Sequence, residues 1–258
     1  MINYIPLAMI PIFLLVFARV LAFFLTLPLF SYRTIPTLYK IGIAFFLSMI
    51  IVVTLNNEQV TLEENYVLLL LKEITVGLLT GLIAYLIVSA MQVAGGFIDF
   101  QMGFAVANVI DPQTGAQSPL IGQYFYMFTL LFLLSVNGHH LLIDGIVQSY
   151  QLIPIDQLIT FENGLSHFSI TTFNRMFLIA FQIAIPLVGC LFLVDVALGI
   201  IARTVPQLNV FVVGLPLKIT VSFTVLLFFL AIYVALVRYL FSVMFETMRD
   251  LMVILGGG

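Results

Sequence analysis

Apolar runs long enough to cross a lipid bilayer, and almost free of charge, leave this chain few ways to fold. They extend from Pro11 to Phe30, Ile41 to Leu55, Tyr66 to Val93, Tyr124 to Ile153, Phe173 to Ile201 and Ile219 to Phe245. One helical crossing of the hydrocarbon core takes about 20 apolar residues. In lipid every backbone N–H and C=O needs a partner, and a continuous helix supplies one from its own segment. The runs show no alternation of period two, so helices are expected rather than a barrel. The predicted fold is an all-α membrane protein of about six hydrophobic helical segments. The second run is short for a crossing. The fourth is broken by Asn137-Gly138-His139-His140, which allows a helical hairpin in place of one crossing.

Composition narrows the function. Of 258 residues, 62% are hydrophobic and 8% charged, and the mean hydropathy is +1.21. Soluble domains carry roughly 45–50% apolar and about 25% charged residues. A soluble enzyme or a nucleic-acid binder is thereby excluded. The net charge is −3, and the nine Lys and Arg residues never cluster, so no patch for phosphates or anionic lipid is expected. The single cysteine, Cys190, excludes a disulfide framework and a cysteine-rich metal site. The opening MINY lacks a basic n-region, and the run after it is too long for a cleaved signal.

Connections between the runs alternate in charge. Arg33 and Lys40 lie between the first two, and Arg203 and Lys218 between the fifth and sixth, without an acid. Glu58, Glu63 and Glu64 occupy the second connection, and Asp156 and Glu162 the fourth, without a base. Basic loops stay cytoplasmic. Six crossings with both termini outside fit this alternation, although Arg238 and Arg249 weakly oppose it.

A change of character separates residues 1–93 from residues 124–258 within one membrane domain. The intervening stretch, Gly95 to Gly122, reads GGFIDFQMGFAVANVIDPQTGAQSPLIG. Its glycines permit unusual backbone angles, and Asp111-Pro112-Gln113-Thr114-Gly115 has strong turn chemistry. Connections longer than about 12–15 residues without regular structure tend to be functional or disordered. Phe97, Phe100, Met102, Phe104 and Val106 make this one unlike a solvated linker. It reads either as a loop buried in protein that lines or closes a cavity, or as an amphipathic segment resting at the interface.

Other candidates point to packing. Gly77 and Gly81 form a G-x-x-x-G pattern, which lets helix backbones approach closely. Arg19, Lys72, Glu73 and Asp195 lie inside or at the edge of apolar runs and should face protein, water or each other. Adjacent Lys72 and Glu73 project to different helix faces, so no mutual pair is expected. Asp195 and Arg203 share roughly one face, two turns apart. Fixed structural ion pairs fit these residues better than a proton relay, because no chain of Asp, Glu and His recurs along one face. His139 and His140 diverge on a helix, and only Asp144 is near them, so no metal is expected. No nucleophile–base pair, Walker loop or zinc signature occurs, which predicts neither enzyme activity nor a cofactor.

Three stretches carry a further pattern: AGGFIDFQMGFA running into IDPQTGAQSPLIG, then NGHHLLI at Asn137 to Ile143, then DVALGIIARTVPQLNVFVVGLPLKI at Asp195 to Ile219. Together they resemble the FliR family of flagellar type III export gate proteins, whose counterparts in virulence secretion are the SctT proteins. Arg19, Pro28 and KEITVGLLTG at Lys72 to Gly81 fit as well. The resemblance spans nearly the whole chain in the right order.

It implies a non-enzymatic subunit, hairpin-rich and built to pack in a helical hetero-oligomeric export gate. The implied partners are FliP and FliQ type subunits, with FlhB and FlhA type components, and unfolded flagellar proteins in transit. The implied location is the bacterial cytoplasmic (inner) membrane at the flagellar basal body. Much of that family's assembly is lifted out of the plane that hydropathy assigns to it, so six apolar runs need not be six crossings. The family's central loop contributes a plug, and Phe97 to Gly122 match it here. The implied gate residues are Phe97, Phe100, Met102, Gly103, Phe104, Asp111, Pro112, Gly115, Gln117 and Pro119, with Gly77, Gly81, Asp195, Arg203 and Pro206 packing in the assembly. A small-solute secondary transporter is the competing class. It expects matched repeats with broken helices, and the central stretch has no counterpart in the second half. A membrane scaffold without a conduit is the third.

Overall fold

The computed structural model describes residues 9–31, 35–55, 65–104, 119–159, 164–207 and 209–257. Seven helices make up the regular structure of those residues: α1 (Ile10–Thr26), α2 (Thr37–Thr54), α3 (Tyr66–Met102), α4 (Leu120–Ser135), α5 (Gly138–Leu152), α6 (Gly164–Thr204) and α7 (Val210–Leu255). The all-α membrane fold expected from the apolar runs is the one observed. Four of these helices (α2, α3, α6 and α7) are long and apolar enough to cross a membrane, or five spans if α4 and α5 count as one bent span. α1 is apolar but shorter.

Sequence chemistry explains the breaks. Pro11 opens α1, and the chain leaves it at Leu27, just before Pro28, with the Leu27 N–H donating to Phe23 O. Pro36 precedes α2. At the NGHH interruption α4 ends and α5 begins, and the two helices are bent from one another by 76°. Asn137 takes the left-handed conformation, with φ 57°, which Asn adopts more readily than other non-glycine residues. Gly138 lies so close to Leu133 that a Cβ there would meet its side chain at 2.4 Å. Pro206 sits in the exposed turn between α6 and α7, and Asn209 restarts the helix by accepting the Phe211 N–H on its Oδ1.

The long helices exceed a simple crossing. With 37, 41 and 46 residues, α3, α6 and α7 are roughly 55–70 Å along their paths at 1.5 Å per residue. The hydrocarbon core is about 30 Å thick. α6 and α7 contain Pro186 and Pro216 within them.

The chain divides into two compact units. The first comprises residues up to 87, 133–172 and 243 onward; the second comprises 88–132 and 173–242. In the first, α1 meets α2 through Phe13 and Phe45, whose rings are 5.2 Å apart edge to face. In the second, α6 and α7 form a hairpin. The Leu198 side chain lies 3.1 Å from where a Gly214 Cβ would stand.

Burial in α3 is not marked by hydrophobicity, since this helix is apolar all round. Its buried residues include Val76, Gly77, Thr80, Gly81, Ala84, Ile87, Val88, Met91, Ala94, Gly95, Ile98 and Met102. Many of these side chains are small, and small residues are what bring helix backbones together where the solvent is itself apolar.

Candidate functional site

Two buried polar centres organise the chain, one in each unit. In the first, Arg19 of α1 is fully buried beside the equally buried Glu73 of α3. Its Nε donates to Glu73 Oε2, and its Nη2 donates to Oε1 at 2.8 Å. Nη1 donates to Ser149 Oγ at 3.0 Å, and Nη2 also reaches Ile153 O at 3.0 Å. The guanidinium lies 4.0 Å over the Tyr150 ring. Lys72 Nζ donates to Pro154 O at 2.6 Å and to Ile155 O at 3.1 Å.

Lys72 Nζ is also 2.7 Å from Glu73 Oε1. Adjacency therefore does not prevent the Lys72–Glu73 pair: the long lysine stem turns its ammonium back towards Glu73. Two cations and one anion leave a net positive charge, which falls on carbonyls at and beyond the C-terminus of α5. That is the negative end of a helix dipole, where cations are favoured. The expectation of fixed ion pairs for Arg19 and Glu73 is met inside this chain.

G-x-x-x-G serves the same junction. A Cβ on Gly77 would stand 2.2 Å from Arg19 O, and one on Gly81 would stand 2.1 Å from Thr26 Oγ1. The neighbour of this face is thus α1 of the same chain.

The second centre is the neck of the central segment. α3 continues through Gly95 and Gly96 to Met102, so the first eight residues of the stretch expected to lack regular structure are helical. The two glycines are accommodated in the helix because α4 passes directly against them. A Cβ on Gly95 would stand 2.2 Å from Gly122 Cα, and one on Gly96 would stand 3.6 Å from Pro119 Cγ. Asp99, 2% exposed, receives the Ile121 N–H on Oδ2 at 3.0 Å. This carboxylate from α3 satisfies an amide at the start of α4, as an N-cap residue would. Its Oδ1 has no hydrogen-bond partner among the described residues. α3 ends at Gly103, with φ 89°.

Gln101 donates to Asp195 Oδ2 at 2.8 Å, and Asp195 pairs with Lys218. Asp195 and Arg203 are not brought together: Arg203 lies exposed in the last turn of α6. Phe97 stacks on Phe181 at 4.8 Å. Phe100 is 74% exposed and Met102 fully buried, so these two point to opposite sides rather than forming one apolar surface with Phe104. Asp111, Pro112, Gly115 and Gln117 lie outside the described residues.

Sequence reading missed Asp99, which stands unremarked inside FIDFQ; an acid in an apolar stretch was the available signal. It also missed Ser149, Tyr150 and the carbonyls of Ile153 to Ile155, because nothing in their types marks them as ion-pair partners. The rings of His139 and His140 lie 4.2 Å apart, tilted by 38°, and no group of three or more His, Cys, Asp or Glu that could hold a metal gathers among the described residues.

An all-α membrane protein with long apolar helices, a glycine-packed neck and buried charge pairs is the class defined by these features. The chain belongs to the bacterial export proteins, family 1, whose model matches residues 10–244. It is 56% identical to flagellar biosynthetic protein FliR of Bacillus subtilis (strain 168), over 95% of this chain and 96% of that protein. Identity to the Escherichia coli (strain K12) flagellar biosynthetic protein FliR is 30%, over 90% and 89%. The Yop proteins translocation protein T of Yersinia pestis is 28% identical over 81% of each chain. The resemblance to the FliR and SctT families drawn from the central stretch, NGHHLLI and the Asp195–Ile219 region is therefore correct.

Proposed function

We propose that this chain is a non-enzymatic subunit of the flagellar type III protein export gate. It helps to form and close the channel through which unfolded flagellar proteins pass the cytoplasmic membrane. The observation that carries the reading is the family match over residues 10–244, which takes in both polar centres and the whole central segment. In this reading FliP and FliQ type subunits are its direct partners, with FlhB and FlhA type components nearby, in the inner membrane at the flagellar basal body. The extra length of α3, α6 and α7 over one bilayer crossing suits a subunit that stands partly out of the membrane plane.

The closing role belongs to the central segment, whose two ends meet at the Gly95–Gly122 neck. A conduit wide enough for a polypeptide leaks ions unless it is sealed at rest, and apolar constrictions block ions by excluding water. Phe100, the exposed aromatic at the end of α3, is the described side chain best placed to contribute.

The test has two arms. Cells lacking the protein should secrete no flagellar subunits, and supplying this chain with FliP and FliQ type partners should restore both export and a co-purifying complex. Deleting residues within 106–117 should leave that complex intact and raise its ion conductance. Failure to assemble with those partners sinks the subunit reading. Unchanged conductance moves the seal to another subunit.

A further inference from the structure

We infer that Asp99 is a positioning residue of the gate: reaching from α3 to the first turn of α4, it clamps the two ends of the central segment into a neck that stays closed during export. This rests on the export-gate reading and adds to it a fixed part.

Three contacts build the neck from one side. Gly95 meets the backbone of Gly122, Gly122 faces Gln92 O at 2.7 Å from a Cβ position, and Gly96 faces Pro119. At Gly95 and Gly122 backbone meets backbone, so no rotamer change can carry the helices past one another there. Asp99, three residues beyond Gly96, closes the same side with its bond to the Ile121 N–H. Loss of that bond would strand a carboxylate in a buried place where its other oxygen is already unpaired. The opposite side of the α3 end is tied independently, by Gln101 to Asp195 and from there to Lys218 of α7. Two helical turns of α3 thus hold α4, α6 and α7 by contacts of different kinds. The rearrangement that admits a substrate then occurs outside this neck.

The geometry provides its own staple. A Cβ at Gly96 would stand 3.9 Å from Pro119 Cβ, within the roughly 3.5–4.5 Å of a disulfide. In the assembled gate, with the exposed Cys190 replaced by Ser, the pair Gly96→Cys and Pro119→Cys should close rapidly under oxidant. Export by this pair should be equal in the oxidised and reduced forms. Adding Asp99→Ala, which removes the accepting oxygen, should slow closure of the pair several-fold and raise the ion conductance of the resting, reduced gate. Oxidation should bring that conductance back down, and reductant should raise it again. Asp99→Asn, which keeps an accepting oxygen, should fall between Ala and wild type.

A stapled gate that stops exporting overturns the fixed neck. Unchanged closure kinetics with Asp99→Ala overturn the clamp, as does a leak that survives the staple. Slower closure with unchanged conductance overturns Asp99's part in the seal and counts against a seal at the central segment, while leaving membership of the export gate intact. If Asp99→Ala does not accumulate, Ile121→Pro removes the donor N–H at a first-turn position that tolerates proline, and the same outcomes apply to it.

Discussion

The junction around Arg19 and the neck around Asp99 are both buried, polar and lined by glycine, yet they are satisfied to different degrees. At the first, Arg19, Lys72 and Glu73 satisfy one another and draw on Ser149 and three backbone carbonyls. At the second, one carboxylate oxygen holds a helix start and the other has no partner among the described residues. A saturated network resists any change and tolerates no missing member. A half-satisfied one is a local clamp whose loss is felt at the segment it holds. The difference separates a centre that keeps the chain folded from one that sets the position of a working part.

Breaking the first centre should have the largest effect. Glu73→Ala leaves two buried cations facing each other without their anion, and removing one member of a buried pair costs about 3–5 kcal/mol. The protein should fail to accumulate in membranes, as read by immunoblot against co-expressed partners. The double variant Arg19→Met with Glu73→Leu removes charge from both sides of the pair and should recover part of the lost abundance. Equal abundance of Glu73→Ala and wild type would show that the network is not what holds α1 to α3.

Phe100 and Met102 sharpen the second centre. Met102 is fully buried, and truncating a buried methionine costs about 2–5 kcal/mol. Met102→Ser should therefore lower the thermal stability of the purified complex. Phe100→Ser removes a side chain that is largely exposed in the chain and should leave stability unchanged while raising conductance. If both variants leak at normal stability, the two side chains act together and the burial of Met102 is not structural.

Glycines provide the intermediate effect. Gly77→Ala and Gly95→Ala each place a methyl 2.2 Å from another backbone, and overpacking typically costs about 1–3 kcal/mol. Gly42, Gly189 and Gly199 have nothing within 4 Å of a Cβ; alanine in a helix interior is favoured over glycine by roughly 0.5–1 kcal/mol. Melting of the purified complex should fall for the first pair and stay level or rise for the other three. Gly77→Ala should not alter conductance, whereas Gly95→Ala should.

Much of this was legible in the amino-acid order. Apolar runs give the helices, and Asn137-Gly138 gives the break in the fourth. The family pattern at Ala94 to Gly122 singles out the region of the neck. The extent of the helices was not legible, because a glycine pair reads as a loop until its packing partner is known. Gly95 and Gly96 stay helical since Gly122 and Pro119 press against them, and those residues are distant in sequence. Nor could periodicity locate the buried face of α3, where hydrophobic residues cover every side and large ones such as Met91 and Ile98 are buried beside the small ones. Asp99 escaped for the same reason: its partner is a backbone amide at the start of another helix, and backbone amides have no sequence signature.

The smallest effect tests whether charge near the neck matters once it is only partly buried. Asp195 keeps about a third of its side-chain surface exposed and Lys218 about a fifth (35% and 22%), so solvent screens their pair. Exposed pairs contribute roughly 0–1 kcal/mol, and Asp195→Asn retains an oxygen that can accept from Gln101. Arg203, exposed in the last turn of α6, gains only a helix-end interaction of about 0.3–1 kcal/mol. Asp195→Asn and Arg203→Gln should therefore change the thermal stability of this chain little. If these residues pack against neighbouring subunits, the same variants should reduce recovery of the complex with FliP and FliQ type partners by more than the chain's own stability accounts for. Measuring both on one preparation separates the two contributions. A loss of complex with unchanged chain stability assigns Asp195 and Arg203 to assembly. Normal complex recovery with lost proton dependence of export would instead make Asp195 part of a relay, and the tie from Gln101 to Lys218 would then be a functional contact rather than a brace.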